Sequence, residues 1–223
     1  NNSVGFNGDR GIELDNASSN SITGNSLGIE GTDNTGNTTD AIFITNGSSD
    51  NTISTNTIGN HLTGSGIKIG ANSDNNILTG NIIGTDAAKS TTNYGNATGI
   101  EVFGGVGTQI TTSNTVAFSV NMGINILSGD GHTIDGNSLY CNAAGTTTLG
   151  TGNPAMAATG TGISLATGAN NDAGLVISAN YTDLNGDLQI ATSFSNYPPL
   201  QDGAGNKLSV SNLNDLENYT IGV

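Results

Sequence analysis

A four-residue phrase (small residue, Ile, any residue, aliphatic) recurs along the chain, and this recurrence limits the fold more than any other feature. It reads Gly11-Ile12-Glu13-Leu14, Ala41-Ile42-Phe43-Ile44, Gly66-Ile67-Lys68-Ile69 and Gly99-Ile100-Glu101-Val102. Two more copies follow, Gly123-Ile124-Asn125-Ile126 and Gly162-Ile163-Ser164-Leu165. Thirteen or fourteen residues after each of the first five Ile stands an Asn: Asn25, Asn56, Asn81, Asn114 and Asn137. Two residues beyond each Asn comes an aliphatic, Leu27, Ile58, Ile83, Val116 and Leu139. Five residues before each Asn lies another polar anchor, Asn20, Asn51, Asn76, Gln109 and His132. Between the two anchors sit Ile22, Ile53, Leu78 and Ile134, while the fourth copy places Thr111 there.

An aliphatic-x-aliphatic triplet is a very short strand with alternate side chains pointing inward. No such strand is stable alone. Stacking successive chain turns about 4.8 Å apart pairs each strand with its copies above and below. Aliphatics then form interior columns that need few aromatics, which suits a chain with only 4% aromatic residues. Asn at a fixed bend can bond its copy in the next turn, and it tolerates left-handed backbone as Gly does. The pattern predicts an all-β, right-handed parallel β-helix of about six turns with Asn ladders, spanning residues 1–171. From 172 to 223 the repeat fades, leaving an irregular β-rich cap or the start of a further β domain. Leu175-Val176-Ile177, Leu188-Gln189-Ile190 and Leu208-Ser209-Val210 still read as strands there.

Spacing between the copies varies through insertions at one place, just after the second aliphatic: 28–40, 84–98 and 140–161. They read either as tolerated length variation or as loops on a working face. Asn2, Val4 and Gly5 fit the phrase Asn25, Leu27 and Gly28, so the chain is expected to start within a turn. That predicts a piece of a longer β-helix, or self-association and stacking in which another subunit completes the turn.

These phrases resemble the right-handed parallel β-helix repeat family, the superfamily of pectate lyases and many bacterial secreted and cell-surface proteins. The Ile83-Gly84-Thr85-Asp86-Ala87 phrase looks like an element of large secreted bacterial proteins of that type. The resemblance implies a secreted, extracellular or cell-surface location and contact with polysaccharide or cell-surface glycan. It does not imply catalysis, because the fold hosts enzymes, adhesins and inert stalks alike.

Charge narrows the partners. Eighteen acids against four bases give a net charge of −14, which excludes a phosphate-tracking nucleic-acid surface and disfavours an anionic bilayer. No apolar run is long enough for membrane insertion as a helix. Cys141 is the single cysteine, so no internal disulfide forms.

The middle residues of the repeated phrase point outward: Glu13, Phe43, Lys68, Glu101, Asn125 and Ser164. Candidate catalytic residues are therefore Arg10, Glu13, Lys68 and Glu101, with Lys68 and Glu101 close enough for a salt bridge. Arg10 and Lys68 lie two turns apart, with no cluster of three acids to hold a uronate through Ca²⁺. Glu13 and Glu101 lie three turns apart, too far for a glycosidase pair. His132 reads as a ladder substitute for Asn, and His61 as a solvated turn residue. Asp183, Asn185 and Asp187 carry oxygen ligands at alternate positions, as a Ca²⁺ loop does, although an Asn-Gly hairpin explains the same residues. No other cofactor is expected. Thr does not recur at one fixed outward offset, which argues against an ice-binding face. The expected function is a structural or adhesive segment of a secreted, cell-surface or filament-forming protein. The alternative is a lyase or glycoside hydrolase acting on acidic or neutral polysaccharide.

Overall fold

The computed structural model describes residues 1–31, 33–88 and 92–139, with Asp33–Asn34 and the strands Thr161–Leu165, Val176–Ser178 and Ile190–Thr192 as backbone. The expected C-terminal cap lies largely outside these residues. The described chain is a right-handed parallel β-helix of about five to six turns, with no α-helix. Three parallel sheets form its walls. Sheet 1 stacks Ile12–Asp15, Ile42–Thr45, Ser65–Ile69, Thr98–Val106, Met122–Asp130, Thr161–Leu165 and Ile190–Thr192. Sheet 2 stacks Ser21–Thr23, Thr52–Ser54, Ile77–Thr79, Gln109–Thr111, Thr133–Asp135 and Val176–Ser178. Sheet 3 stacks Ser3–Val4, Ser26–Leu27, Thr57–Ile58, Ile82–Ile83, Thr115–Val116 and Ser138–Leu139.

Register follows the repeated phrase. Ile12, Ile42, Ile67, Ile100 and Ile124 pair in one column of sheet 1, continued by Ile163 along the backbone. Ile42, Ile67, Ile100 and Ile124 are fully buried, as are Ile44, Ile69, Val102 and Ile126 in the neighbouring column. Sheet 3 contributes Leu27, Ile58, Ile83, Val116 and Leu139, all without exposure. Each such side chain contributes roughly 1.5–3 kcal/mol by leaving water, and the tube closes with aliphatics alone through most of its length.

Sheet 2 corrects the reading of the fourth copy. Ile110, not Thr111, pairs with Leu78 and Ile134 and is buried. Thr108 consequently takes the anchor position, and Gln109 is exposed. The physical reason is one extra residue in the bend. Other turns pass from sheet 2 to sheet 3 through a single left-handed residue, Gly24, Thr55, Gly80 or Gly136, whereas the fourth uses Thr112 and Ser113.

The Asn ladder runs as expected along that bend. The Oδ1 of Asn81 accepts from both the backbone N and Nδ2 of Asn56, each at 3.1 Å. The same double contact joins Asn2 to Asn25, Asn25 to Asn56, and Asn81 to Asn114. Asn114 Nδ2 continues it to Asn137 at 2.8 Å. A second ladder joins Asn20, Asn51 and Asn76. His132 acts as its substitute two turns on, since Nδ1 accepts the Thr108 N–H at 3.3 Å.

A third ladder, absent from the expectations, lines the bend from sheet 3 to sheet 1. Asn7 donates to Asn37 Oδ1 at 2.8 Å, and Asn37 Nδ2 meets His61 Nε2 at 3.0 Å. His61 Nδ1 lies 3.1 Å from Asn96 Oδ1, which also accepts the His61 backbone N–H at 3.0 Å. His61 is thus fully buried and doubly bonded, not solvated. Beyond Asn96 this ladder stops. Asn96 Nδ2 and Ser119 Oγ are buried without hydrogen-bond partners among the described residues. Ser119 is fully buried one turn on, with Val120 N bonded to Asn96 O, and its side chain ends short of a rung. Ser119→Asn supplies the missing amide and is expected to raise stability by about 1 kcal/mol, read as an increased denaturant midpoint at constant slope.

Described residues of the first two insertions flank the short turn between them. The first forms a small antiparallel hairpin, Ile29–Glu30 with Asp33–Asn34. Ile29 from this loop and Tyr94 from the next are both 6% exposed. They close over Gly59 of the short intervening turn, where any Cβ would lie 2.4 Å from Tyr94 O and 2.8 Å from Ile29 Cδ1. The insertions therefore thicken one corner of the helix beside sheet 1.

Candidate functional site

Alternation within the strands of sheet 1 directs one residue of each repeated phrase outward. The backbone pairs Glu13 with Phe43, Phe43 with Lys68, Lys68 with Glu101, Glu101 with Asn125, and Asn125 with Ser164. The predicted outer column is therefore continuous. Lys68 Nζ meets Glu101 Oε1 at 2.7 Å, as the sequence led one to expect. Arg10 lies at the entrance to the first strand. Its guanidinium donates to Glu13 Oε1 at 3.0 Å and stacks 4.4 Å above the ring centroid of Phe43. Desolvated only in part, these pairs are worth little to stability. Their effect is to fix the positions of charged groups over the sheet.

Two features beside the column were not read from the sequence. The first is a groove of about 400 Å³ where the chain enters sheet 1. Arg10, Asp40, Ser65, Thr98 and Asn121 come to it from five successive turns, and Lys68 with Glu101 forms its inner wall. The groove therefore runs parallel to the helix axis. Asp40 is 7% exposed, and its Oδ1 accepts the Ser65 N–H at 2.7 Å. Burial pushes its carboxyl above the usual carboxylate range, against the pull of the Ser65 N–H and Lys68, with Glu101 adding to the rise and Arg10 opposing it. A single Asp between two repeats gives no spacing signal. The one clue was its place immediately before the small residue of the phrase.

The second feature is Phe103. Two residues beyond Glu101, at an irregularity in the register of the same strand, it is 46% exposed. Phe43 and Phe103 lie two turns apart, about 10 Å along the axis. Gly70 occupies the turn between them, and any Cβ there would sit 3.3 Å from Phe43 Cε2. A glycine thus leaves the Phe43 ring room to lie down over the sheet. The face combines one exposed ring, a second ring capped by Arg10, the Arg10–Glu13 and Lys68–Glu101 ion pairs, and a groove lined partly by hydroxyls.

Other candidates stand apart from this face. Glu13 and Glu101 are separated by the Phe43 and Lys68 turns, so the structure keeps them apart as expected. Asp183, Asn185 and Asp187 lie outside the described residues. Among the described residues no group of three His, Cys, Asp or Glu could hold a metal ion. On the outer face of sheet 2, Thr23, Ser54, Thr79 and Thr111 share one offset, the fourth brought in by the one-residue shift, and Ser54 interrupts the Thr run. The column ends in Asp135, and the rank beside it contains Ile77 and Gln109, so it is not a regular Thr lattice. No helix among the described residues is long and apolar enough to cross a membrane. Comparison with known protein families, with curated proteins and with solved structures finds no match.

Proposed function

We propose that this β-helix is a structural or adhesive segment of a secreted, cell-surface or filament-forming protein, and that sheet 1 is the face that contacts a glycan. The observation carrying this reading is an exposed ring, Phe103, on the same strand as Thr98 and Glu101, which line the axial groove. A sugar ring offers an apolar C–H face and an equatorial rim of hydroxyls. The first suits an exposed ring, and the second suits fixed polar groups such as Ser65, Thr98 and Asn121. A rigid stack of turns holds these groups in register without any ligand-induced folding, which limits the entropic cost of binding.

Phe103 gives the sharpest test, because its half-exposed ring contributes little to packing. Phe103→Ala is expected to lower glycan affinity about tenfold while changing stability by less than about 0.5 kcal/mol. Isothermal titration against a panel of oligosaccharides, with thermal unfolding alongside, measures both. Unchanged affinity would remove sheet 1 as the contact face.

One observation favours the alternative of a lyase or hydrolase. Asp40 is a nearly buried carboxyl in a groove, pushed toward its protonated form by burial, and such groups gather at functional sites. Incubating the same oligosaccharides with the protein and assaying new reducing or unsaturated ends separates the readings. End formation abolished by Asp40→Asn would establish turnover.

A further inference from the structure

We infer that the sheet 1 face takes an uncharged glycan laid parallel to the helix axis and turns away polyuronates, an inference that rests on the glycan reading above. A polyuronate needs cations free to meet its carboxylates, and on this face the cations are engaged. Arg10 holds Glu13 at 3.0 Å and lies 3.9 Å from Asp9. Lys68 holds Glu101 at 2.7 Å. A uronate reaching Lys68 would meet a cation whose charge Glu101 already balances, and Glu101, its side chain 16% exposed, would stay beside it as a competing anion. Asp40 adds a further carboxyl in the same groove, and its nearest charged neighbours are the already paired Lys68, Glu101 and Arg10. Four acids, Asp9, Glu13, Asp40 and Glu101, thus face two bases in a chain whose net charge is −14. The local field and the overall field have the same sign, so an anionic polymer is repelled during approach as well as at contact.

What the face offers instead is neutral. Thr39, Thr63, Ser65, Thr98 and Asn121 supply hydroxyl and amide groups along the groove. They come from successive turns about 4.8 Å apart, a spacing comparable with the advance of one sugar ring in an extended chain. Phe103 supplies an exposed ring surface, whereas the Phe43 ring is capped by Arg10. These groups lie along the axis, and a chain crossing the face at right angles would meet only one turn. Hydroxyl and amide groups keep spare donor and acceptor capacity for sugar hydroxyls, but carry no charge to balance a uronate.

The experiment compares cellohexaose and mannohexaose with hexagalacturonate by titration calorimetry on the intact chain, at low and high salt. At least one neutral hexasaccharide is expected to bind about tenfold or more tightly than hexagalacturonate, with little dependence on salt. Glu101→Gln frees Lys68, and the ratio of hexagalacturonate to neutral affinity should then rise roughly fivefold in a salt-sensitive way. Wild-type protein binding hexagalacturonate as tightly as the neutral sugars would overturn the inference and leave the glycan reading standing. An unchanged response of Glu101→Gln would also overturn it, because the ion pair would then not be what excludes the anion. Binding of neither class by the folded wild-type chain would overturn the glycan reading itself.

Discussion

Asn81→Leu is expected to destabilise the chain by about 3–5 kcal/mol, although leucine is more apolar and close to asparagine in size. Asn81 is completely buried, and every polar atom of its side chain is in use. Its Oδ1 accepts the Asn56 N–H and one Nδ2 proton of Asn56, while its own Nδ2 donates to Ile53 O at 2.8 Å and to Asn114 Oδ1 at 3.1 Å. Leucine removes all four contacts and leaves the Asn56 N–H and the Ile53 carbonyl facing a hydrocarbon. Each orphaned group costs about 1–3 kcal/mol, and the added apolar surface recovers only part of that. The neighbouring rungs amplify the effect, because Asn56 and Asn114 are held partly through Asn81. Replacing Thr57, an outward residue one position after a rung, by Ala provides the contrast and should change stability by less than about 0.5 kcal/mol. Urea unfolding of both variants decides the matter. A loss below about 1 kcal/mol for Asn81→Leu would mean that the amide stack merely accompanies the fold.

Most of that ladder was legible in the sequence, for a physical reason. A parallel stack forces equivalent residues to recur at equivalent offsets wherever the intervening segment has constant length. Sheet 2, its bend and sheet 3 satisfy this condition, so Asn25, Asn56, Asn81, Asn114 and Asn137 align almost without gaps. The exception is Thr112-Ser113, where one added bend residue shifted the reading by a position and hid Ile110. Left-handed backbone at both residues accommodates the extra length without disturbing the strands on either side. The third ladder was hidden because the insertions precede it. Asn7, Asn37, His61, Asn96 and Ser119 precede their next repeated phrase by unequal distances, and they mix three residue types. Only the count backward from each following Ile, which varies by a residue either way, carried a trace of it. The site was the least legible part. Glu101 and Lys68 announced themselves by charge on consecutive copies, but Phe103 lies just past the phrase, and Asp40 acquires meaning only from the groove that several turns form around it.

His61 makes the third ladder sensitive to acid. The hydrogen-bond network assigns its tautomer: Nδ1–H donates to Asn96 Oδ1, so the bare Nε2 accepts from Asn37 Nδ2. A second ring proton would point at the Asn37 amide donor, and the full burial of the ring disfavours the charge. Burial is the larger cause of the fall in its pKa to about 4, opposed by the bond to Asn96. In the unfolded chain the imidazole titrates near its ordinary value of about 6.5. Above that value it is neutral in both states and the native fold keeps its full stability. As the pH falls below it, the unfolded chain takes up a proton that the folded chain refuses, and stability drops until folded His61 also protonates near pH 4. The loss across this window is about 3 kcal/mol. His132, also lowered by burial, acts in the same direction, whereas Asp40, whose carboxyl is raised, gains a proton more readily when folded and works against the trend. His61→Asn isolates the contribution, because Asn can accept from Asn37 through Oδ1 and donate to Asn96 through Nδ2 without titrating. Urea unfolding at pH 7 and at pH 4.5 should show the wild type losing at least about 2 kcal/mol more than the variant. Parallel losses in the two proteins would mean that the buried imidazole is not the group through which acid loosens the stack.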